Sequence, residues 1–166
     1  MTRFVGMVVC RCVALLWLSA FPSPSAFAAG AVEMQVEHIL VQTIDEYNQA
    51  MEANDPAGWM RYFTDNVRRH SPVSDQQGKK DFEAYCAWEF KNFQAKYVTK
   101  KILVSGRTAA VVFVWEAVHK PSGTPLRIEM VGIYELASSG KFESLSFYYD
   151  TAKLATFLAA NTAAAK

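Results

Sequence analysis

The spacing of hydrophobic residues changes from a helical to a strand-like period near the middle of this 166-residue chain. Between Val32 and about Asn54, apolar residues recur every three to four positions, which predicts a long amphipathic helix. Four later segments are rich in Val, Ile, Phe and Tyr and are separated by glycine-containing turns, as expected of strands. These segments are 95–105, 108–120, 126–136 and 141–150. Helices followed by an antiparallel strand meander predict an α+β domain.

Shorter helices and an extended piece are predicted between the long helix and the four strands, and one helix after them. Asp55 and Pro56 form an N-cap and a first-turn proline, the usual start of a helix. Pro72 ends an extended piece, because the residue before a proline disfavours helix. The predicted elements are a short helix 55–63, an extended piece 67–71, a helix 79–93 with one apolar side, and a helix 151–158.

Residues 1–28 have the three-part order of a secretory signal peptide. Two arginines and no acidic residue come first, an apolar run follows, and Ala26-Phe27-Ala28 forms an A-x-A cleavage site. The apolar run is shorter than the roughly 20 residues that span a bilayer, so no stable membrane anchor is expected after cleavage. We predict a secreted or periplasmic protein cut near Ala28/Ala29. Its domain would occupy 29–160, with a disordered tail over 161–166.

The mature chain expected from this cleavage has almost no net charge. Loss of Arg3 and Arg11 lowers the formal charge from +1 to −1, so nothing favours nucleic acid as a partner. Only Cys86 remains, and a single cysteine cannot form an intrachain disulfide. The three histidines, His38, His70 and His119, fall on separate predicted elements, so no metal is expected. No phosphate-loop or dinucleotide motif is present, so no cofactor is expected either.

Three segments resemble the nuclear transport factor 2-like superfamily, which includes ketosteroid isomerases and SnoaL-type polyketide cyclases. The first is YNQAMEANDPAGWMRYFTDNVRRHSP, from Tyr47 to Pro72. The second is Gly78 followed by a helix, and the third is SGKFESLSFYYD, from Ser139 to Asp150. The resemblance implies a cone: a curved antiparallel sheet wrapped around a long N-terminal helix, with about three helices before the strand meander. It also implies an internal pocket and a homodimer.

The resemblance implies counterparts for only some of the catalytic residues of the isomerases. Tyr47 falls at the position of the oxyanion-hole tyrosine, whereas Ser71 stands where those enzymes place a general-base aspartate. A serine without an activating partner cannot remove a carbon-bound proton at neutral pH. The second oxyanion donor, a protonated aspartate, aligns with either Glu129 or Met130.

Each candidate also has a structural interpretation. Tyr47 could simply pack in the core, and Ser71 could cap the turn before Pro72. His70 is flanked by Arg68 and Arg69, which indicates an exposed basic strip. Glu129 could face either solvent or the cavity, where burial would raise its pKa. The catalytic candidates are Tyr47, His70 and Glu129; the predicted pocket residues are Tyr47, Trp59, Phe63, Ser71, Trp88, Trp115 and Glu129.

Two functional interpretations remain open. The first is a non-catalytic or weakly catalytic domain that binds a small, largely apolar molecule in its cone. The second is a cofactor-free isomerase, cyclase or hydratase-type lyase that uses Tyr47 with Glu129 or His70. An enzyme requires Tyr47 and a titratable group to face each other across one cavity, whereas a binding domain requires only an apolar cavity with scattered polar groups.

Overall fold

The computed structural model describes residues 24–163, with side chains described from Met34 to Asn161. Ten elements follow one another: α1 (Pro24–Glu52), α2 (Pro56–Met60), β1 (Phe63–Ser71), β2 (Ser74–Gln77), α3 (Lys79–Asn92), β3 (Phe93–Ser105), β4 (Thr108–His119), β5 (Pro125–Leu136), β6 (Phe142–Tyr149) and α4 (Thr151–Ala163). Three helices therefore precede the meander of β3 to β6, as predicted.

One six-stranded sheet has the order β2-β1-β6-β5-β4-β3. All neighbouring pairs are antiparallel except β1 with β6, which run parallel. The register shifts between Thr99 and Lys101 in β3 and between Phe63 and Arg68 in β1. Such irregularities bend a strand and increase its twist, which suits a sheet that must curve around a helix. The α+β cone predicted from the sequence is confirmed.

The core lies between α1 and the concave face of the sheet. Leu40, Ile44, Tyr47 and Met51 on α1 are almost completely buried, at the helical spacing seen in the sequence. Aromatic rings of the sheet meet them, because alternate residues of each strand point toward the helix. Burial of these apolar side chains stabilises the packing of α1 against the sheet. This packing fixes the positions of the helix and the strands relative to each other.

The second helix is shorter than expected. The Asp55 side chain accepts a hydrogen bond from the Gly58 N–H at 2.9 Å, and Pro56 occupies the first turn, as the sequence indicated. The helix ends at Met60 because Phe63 already belongs to β1, where its ring packs in the core. The four-residue strand β2, which pairs with β1 at the sheet edge, was not predicted.

The termini lie partly outside the described residues. Residues 1–23 of the predicted signal peptide are outside them, and the predicted cleavage point falls within α1. At the other end, α4 continues to Ala163 and the Asn161 side chain is buried, so Asn161 does not belong to a disordered tail. None of the helices in the described part of the chain is long and apolar enough to cross a membrane.

Candidate functional site

A cavity of about 390 Å³ lies between the sheet, α3 and α4. Its walls come from eight elements and the β1–β2 turn, and most of the lining side chains are aromatic or aliphatic. The lining residues are Arg69, Val73, Ser74, Tyr85, Trp88, Glu89, Phe93, Tyr97, Trp115, Met130, Phe147, Tyr149, Leu154 and Leu158. A cavity of this size and composition matches those that hold small organic ligands in proteins.

The Arg69 guanidinium supplies the positive charge of the cavity. On β1 it alternates inward with Val67 and Ser71, so it lies on the buried face and is only 8% exposed. Its Nη1 donates to Gln76 Oε1 at 2.8 Å and, at longer distances, to the hydroxyls of Ser71 and Ser74. The expectation of an exposed basic strip holds for Arg68 but is wrong for Arg69.

Tyr85 connects Arg69 to a buried carboxylate. The Tyr85 hydroxyl accepts a hydrogen bond from Arg69 Nη2 at 3.0 Å, and the guanidinium carbon lies 3.9 Å from the centre of the Tyr85 ring. The same hydroxyl hydrogen-bonds Glu89, one helical turn further along α3. Because residues i and i+4 share a helix face, both side chains reach the cavity together.

The Glu89 carboxyl is only 4% exposed although it carries an ionisable group. Burial raises its pKa above the ordinary glutamate value, and the charge of Arg69 and the hydrogen bond from Tyr85 offset part of that rise. Arg69 and Glu89 do not approach within 4 Å of each other and form no direct ion pair. The cavity therefore contains two buried ionisable groups, Arg69 and Glu89, which both interact with the Tyr85 hydroxyl.

The remaining walls are apolar or aromatic. Phe93, Trp115 and Phe147 are buried, whereas Trp88 is 48% exposed. Leu154 and Leu158 of α4 complete the lining. The Trp115 Nε1–H is buried without a hydrogen-bond partner, so one donor near this wall is unsatisfied by the protein itself.

Tyr47 lies beneath the lining rather than in it. It is completely buried among aromatic rings, stacked against Trp59 and Tyr97. Its hydroxyl is 3.5 Å from the hydroxyl of Tyr97, which does line the cavity. Burial raises the pKa of Tyr47 well above the usual tyrosine value, so the group stays a neutral phenol.

The other two catalytic candidates point away from the cavity. His70 is 53% exposed, and its Nδ1 lies 2.6 Å from Asp75 Oδ1. Glu129 is 80% exposed and lies 3.9 Å from Arg127 on the outer face of the sheet. Met130 faces the cavity instead, because neighbouring residues of β5 point to opposite faces. The structure therefore does not bring Tyr47, His70 and Glu129 together.

The predicted pocket residues divide into two groups. Trp88 and Trp115 line the cavity. Trp59 and Phe63 are buried in the core behind it, and Ser71 is buried at the β1–β2 turn. The Ser71 Oγ donates to the Ser74 carbonyl at 3.0 Å and accepts from the Ser74 N–H, which is the turn-capping role considered for it.

The sequence analysis missed Arg69 and Glu89 as site residues. Both carried a signal, because each occupies a charged position on an otherwise buried face. Glu89 lies on the buried side of α3 with Phe82, Cys86 and Phe90. Arg69 lies between Val67 and Ser71, at the two-residue spacing of the buried face of β1. No three His, Cys, Asp or Glu side chains within the described range are close enough to hold a metal ion.

Solved structures of similar fold include one enzyme of ring formation and one protein of unknown function. SalBIII, an epoxide hydrolase/cyclase-like enzyme in pyran ring formation of the polyether salinomycin, aligns with a TM-score of 0.65 at 19% identity, covering 70% of this chain and 95% of that one. An NTF2-like protein of unknown function from Burkholderia pseudomallei aligns with a TM-score of 0.63 at 16% identity, covering 70% and 94%. At these identities the likeness concerns the fold alone.

A third solved relative holds a ligand. This protein of ketosteroid isomerase-like fold, from Catenulispora acidiphila, was crystallised with trimethylamine; it aligns with a TM-score of 0.59 at 14% identity, covering 65% of this chain and 85% of that one. None of the curated proteins matches the sequence. The family model of the SnoaL-like domain matches residues 44–144, which span most of the described elements and well over half of the chain. The chain belongs to the SnoaL-like domain family.

Proposed function

We propose that this chain is an exported domain whose cavity binds a small, largely apolar molecule and that its catalytic activity is absent or weak. The observation that carries the proposal is the cavity of about 390 Å³, with its aromatic and aliphatic walls and one cluster of polar groups. Such a cavity excludes water from an apolar body while a few polar groups orient it.

The geometry supports binding better than the acid–base pairs expected from the sequence. A proton-transfer enzyme needs a titratable group and an oxyanion donor on opposite sides of the reacting atom. His70 and Glu129 are both on the outer surface, and Tyr47 reaches the cavity only through Tyr97. No pair drawn from these three residues has the required arrangement.

One observation favours a second candidate function, a cofactor-free isomerase, cyclase or hydratase-type lyase. Glu89 is the carboxyl group that lines the cavity, and its burial raises its pKa, which favours the acid form. A carboxyl of raised pKa can deliver and recover a proton near neutral pH. If the cavity is catalytic, Glu89→Gln should abolish turnover while ligand binding persists.

The proposal is tested by filling the cavity. Leu154→Trp adds a large ring to the lining, and Ala155→Trp places the same ring on the exposed side of α4 as a matched control. Ligands that co-purify from the native host would be identified by native mass spectrometry, and their affinity measured by calorimetry. We expect Leu154→Trp to weaken binding by at least about tenfold and the control to leave it unchanged. Equal binding by both variants would place the ligand elsewhere.

The proposed location and assembly have separate support. The signal-peptide pattern of residues 1–28 supports export. Exposed apolar side chains on the outer face of the sheet support a homodimer, because burial of such a patch at an interface removes apolar surface from water and is favourable.

A further inference from the structure

We infer that the polar end of the bound molecule is a carboxylate, held by the Arg69 guanidinium, with its apolar body against the aromatic walls. The inference rests on the proposed function and specifies the chemistry of its ligand. The ligand class is therefore a small, largely apolar monocarboxylate.

The first argument is the environment of the Arg69 charge. The side chain is buried, yet each of its hydrogen-bond partners is a neutral group: two serine hydroxyls, one amide oxygen and one phenol. The rings of Tyr85 and Phe147 lie 3.9 and 5.1 Å from the guanidinium, and they attract a cation without neutralising it. A buried charge without a contact counter-ion is unfavourable, so a bound anion would stabilise this site.

The second argument is unused donor capacity. A guanidinium has five N–H groups arranged in a planar fork. The hydrogen bonds of Arg69 involve Nη1 and one N–H of Nη2, and neither the Nε–H nor the second Nη2–H has an acceptor among the described residues. Free N–H groups of a guanidinium form charge-assisted hydrogen bonds to the oxygens of a carboxylate, the anion that arginine is best suited to bind.

The third argument concerns Glu89, which would repel an anion if it were ionised. The titratable and charged groups that face it are Arg69 of β1, Tyr85 and Cys86 of α3, Tyr47 of α1, Tyr97 of β3 and Tyr134 of β5. Only Arg69 is cationic, and burial raises the pKa of Glu89 against its influence. A bound carboxylate raises that pKa further, so Glu89 takes up a proton and can donate it in a hydrogen bond to the ligand. Binding should therefore strengthen as pH falls, as long as the ligand stays ionised.

The experiment compares three probes with the same eight-carbon tail: octanoate, 1-octanol and octyltrimethylammonium. Calorimetry would measure their affinities for the unmodified domain, Arg69→Met, Arg69→Lys and Glu89→Gln. Arg68→Met is the matched control, because Arg68 is the exposed neighbour on the same strand. Thermal unfolding checks that each variant is folded.

We expect octanoate to bind more tightly than octanol by roughly 10- to 100-fold, the usual effect of charge-assisted hydrogen bonds. Arg69→Met should remove this preference while octanol binding stays, Arg69→Lys should retain part of it, and Arg68→Met should retain all of it. Glu89→Gln should tighten octanoate binding and reduce its pH dependence, because glutamine carries no charge to repel the anion.

Three outcomes would overturn the inference. Equal or tighter binding of octanol would show that Arg69 does not recognise an anion. Tightest binding of octyltrimethylammonium, lost in Glu89→Gln, would assign recognition to the carboxylate instead. In both cases the apolar cavity still binds, so the proposed function stands. If none of the three probes binds, the proposed function fails together with the inference.

Discussion

Burial of the Glu89 carboxyl couples the stability of the fold to pH. Its pKa in the folded protein lies above the ordinary glutamate value, chiefly because burial disfavours the charged form. The folded state therefore holds this proton more tightly than the unfolded state. The contribution of Glu89 to stability is greatest below the ordinary glutamate pKa. It declines as pH rises toward the raised folded value, and does not change further above that value.

Glu89→Gln should remove this pH dependence. The variant cannot ionise at this position, so the free energy of unfolding of the unmodified protein should fall relative to the variant as pH increases through that interval. Urea unfolding at a series of pH values measures the difference. Glu83→Gln, at an exposed position of the same helix, should follow the unmodified protein. Parallel profiles for the unmodified protein and Glu89→Gln would contradict the expectation.

For single residues, the sequence predicted which way a side chain points better than it predicted the role of that side chain in the site. Periodicity placed Tyr47 on the apolar face of α1, but it could not show that Tyr97 lies between Tyr47 and the cavity. Arg69 and Glu89 occupy inward positions, but charged residues are seldom buried, so the sequence indicated an exposed basic strip for Arg69 and gave no reason to single out Glu89. Only the tertiary packing of α3 beside β1 brings the two side chains into one cavity.

The helix α4 is held at its far end by one side chain. Asn161 is buried; its Oδ1 accepts hydrogen bonds from Ser122 Oγ at 2.5 Å and Thr124 Oγ1 at 3.0 Å, and its Nδ2 donates to the Phe157 carbonyl at 2.8 Å. Asp150 caps the near end through the Ala152 N–H. Leu154, which lines the cavity, lies between these two attachments, so both help to position this part of the cavity wall.

Asn161→Ala should loosen α4 while leaving the sheet intact. Loss of the two accepted hydrogen bonds leaves the Ser122 and Thr124 hydroxyls without this partner, at a cost of about 1–3 kcal/mol. Amide hydrogen exchange should accelerate in α4 and remain slow in β4 and β5. Lys153→Ala, an exposed change on the same helix, is the control. Uniform acceleration throughout the domain would mean that α4 does not open separately.

Elements with a strong pattern were predictable, and one without a pattern was not. The turns at Gly106, Gly123 and Gly140 adopt positive φ angles, which explains why glycine marks the ends of the predicted strands. The four residues of β2 are all polar and contain no apolar alternation, so nothing in them favours a strand. They form one because β1 presents an unpaired edge, a property of the tertiary structure.

The outer face of the sheet carries an apolar row across β4, β5 and β6. Val112 pairs in register with Val131, and Val131 with Tyr148, and these side chains are 37%, 37% and 52% exposed. We expect this row to form the centre of a homodimer. Val131→Glu should make the protein monomeric, because a two-fold interface places the two introduced charges close together.

Sedimentation at micromolar concentration measures the association. Ala155→Glu adds the same charge on exposed α4 and should leave the dimer intact. A monomeric unmodified protein would contradict the expectation.

Export predicts a shortened chain. N-terminal sequencing of the secreted protein should find Ala29 at or near the start, because the A-x-A site ends at Ala28. Replacing Ala26 and Ala28 with large residues should block processing. Retention of the first residues in mature material would rule out the predicted cleavage.

The parallel pairing of β1 with β6 also affects the stage of folding at which the core becomes complete. Arg69 sits in register with Leu145, its partner on the last strand of the sheet, and most of the domain lies between them along the chain. Contacts between distant segments form late in folding, because they close the longest loops. We therefore expect burial of the Arg69 guanidinium to be complete only when β6 docks beside β1 and brings the Phe147 ring over it.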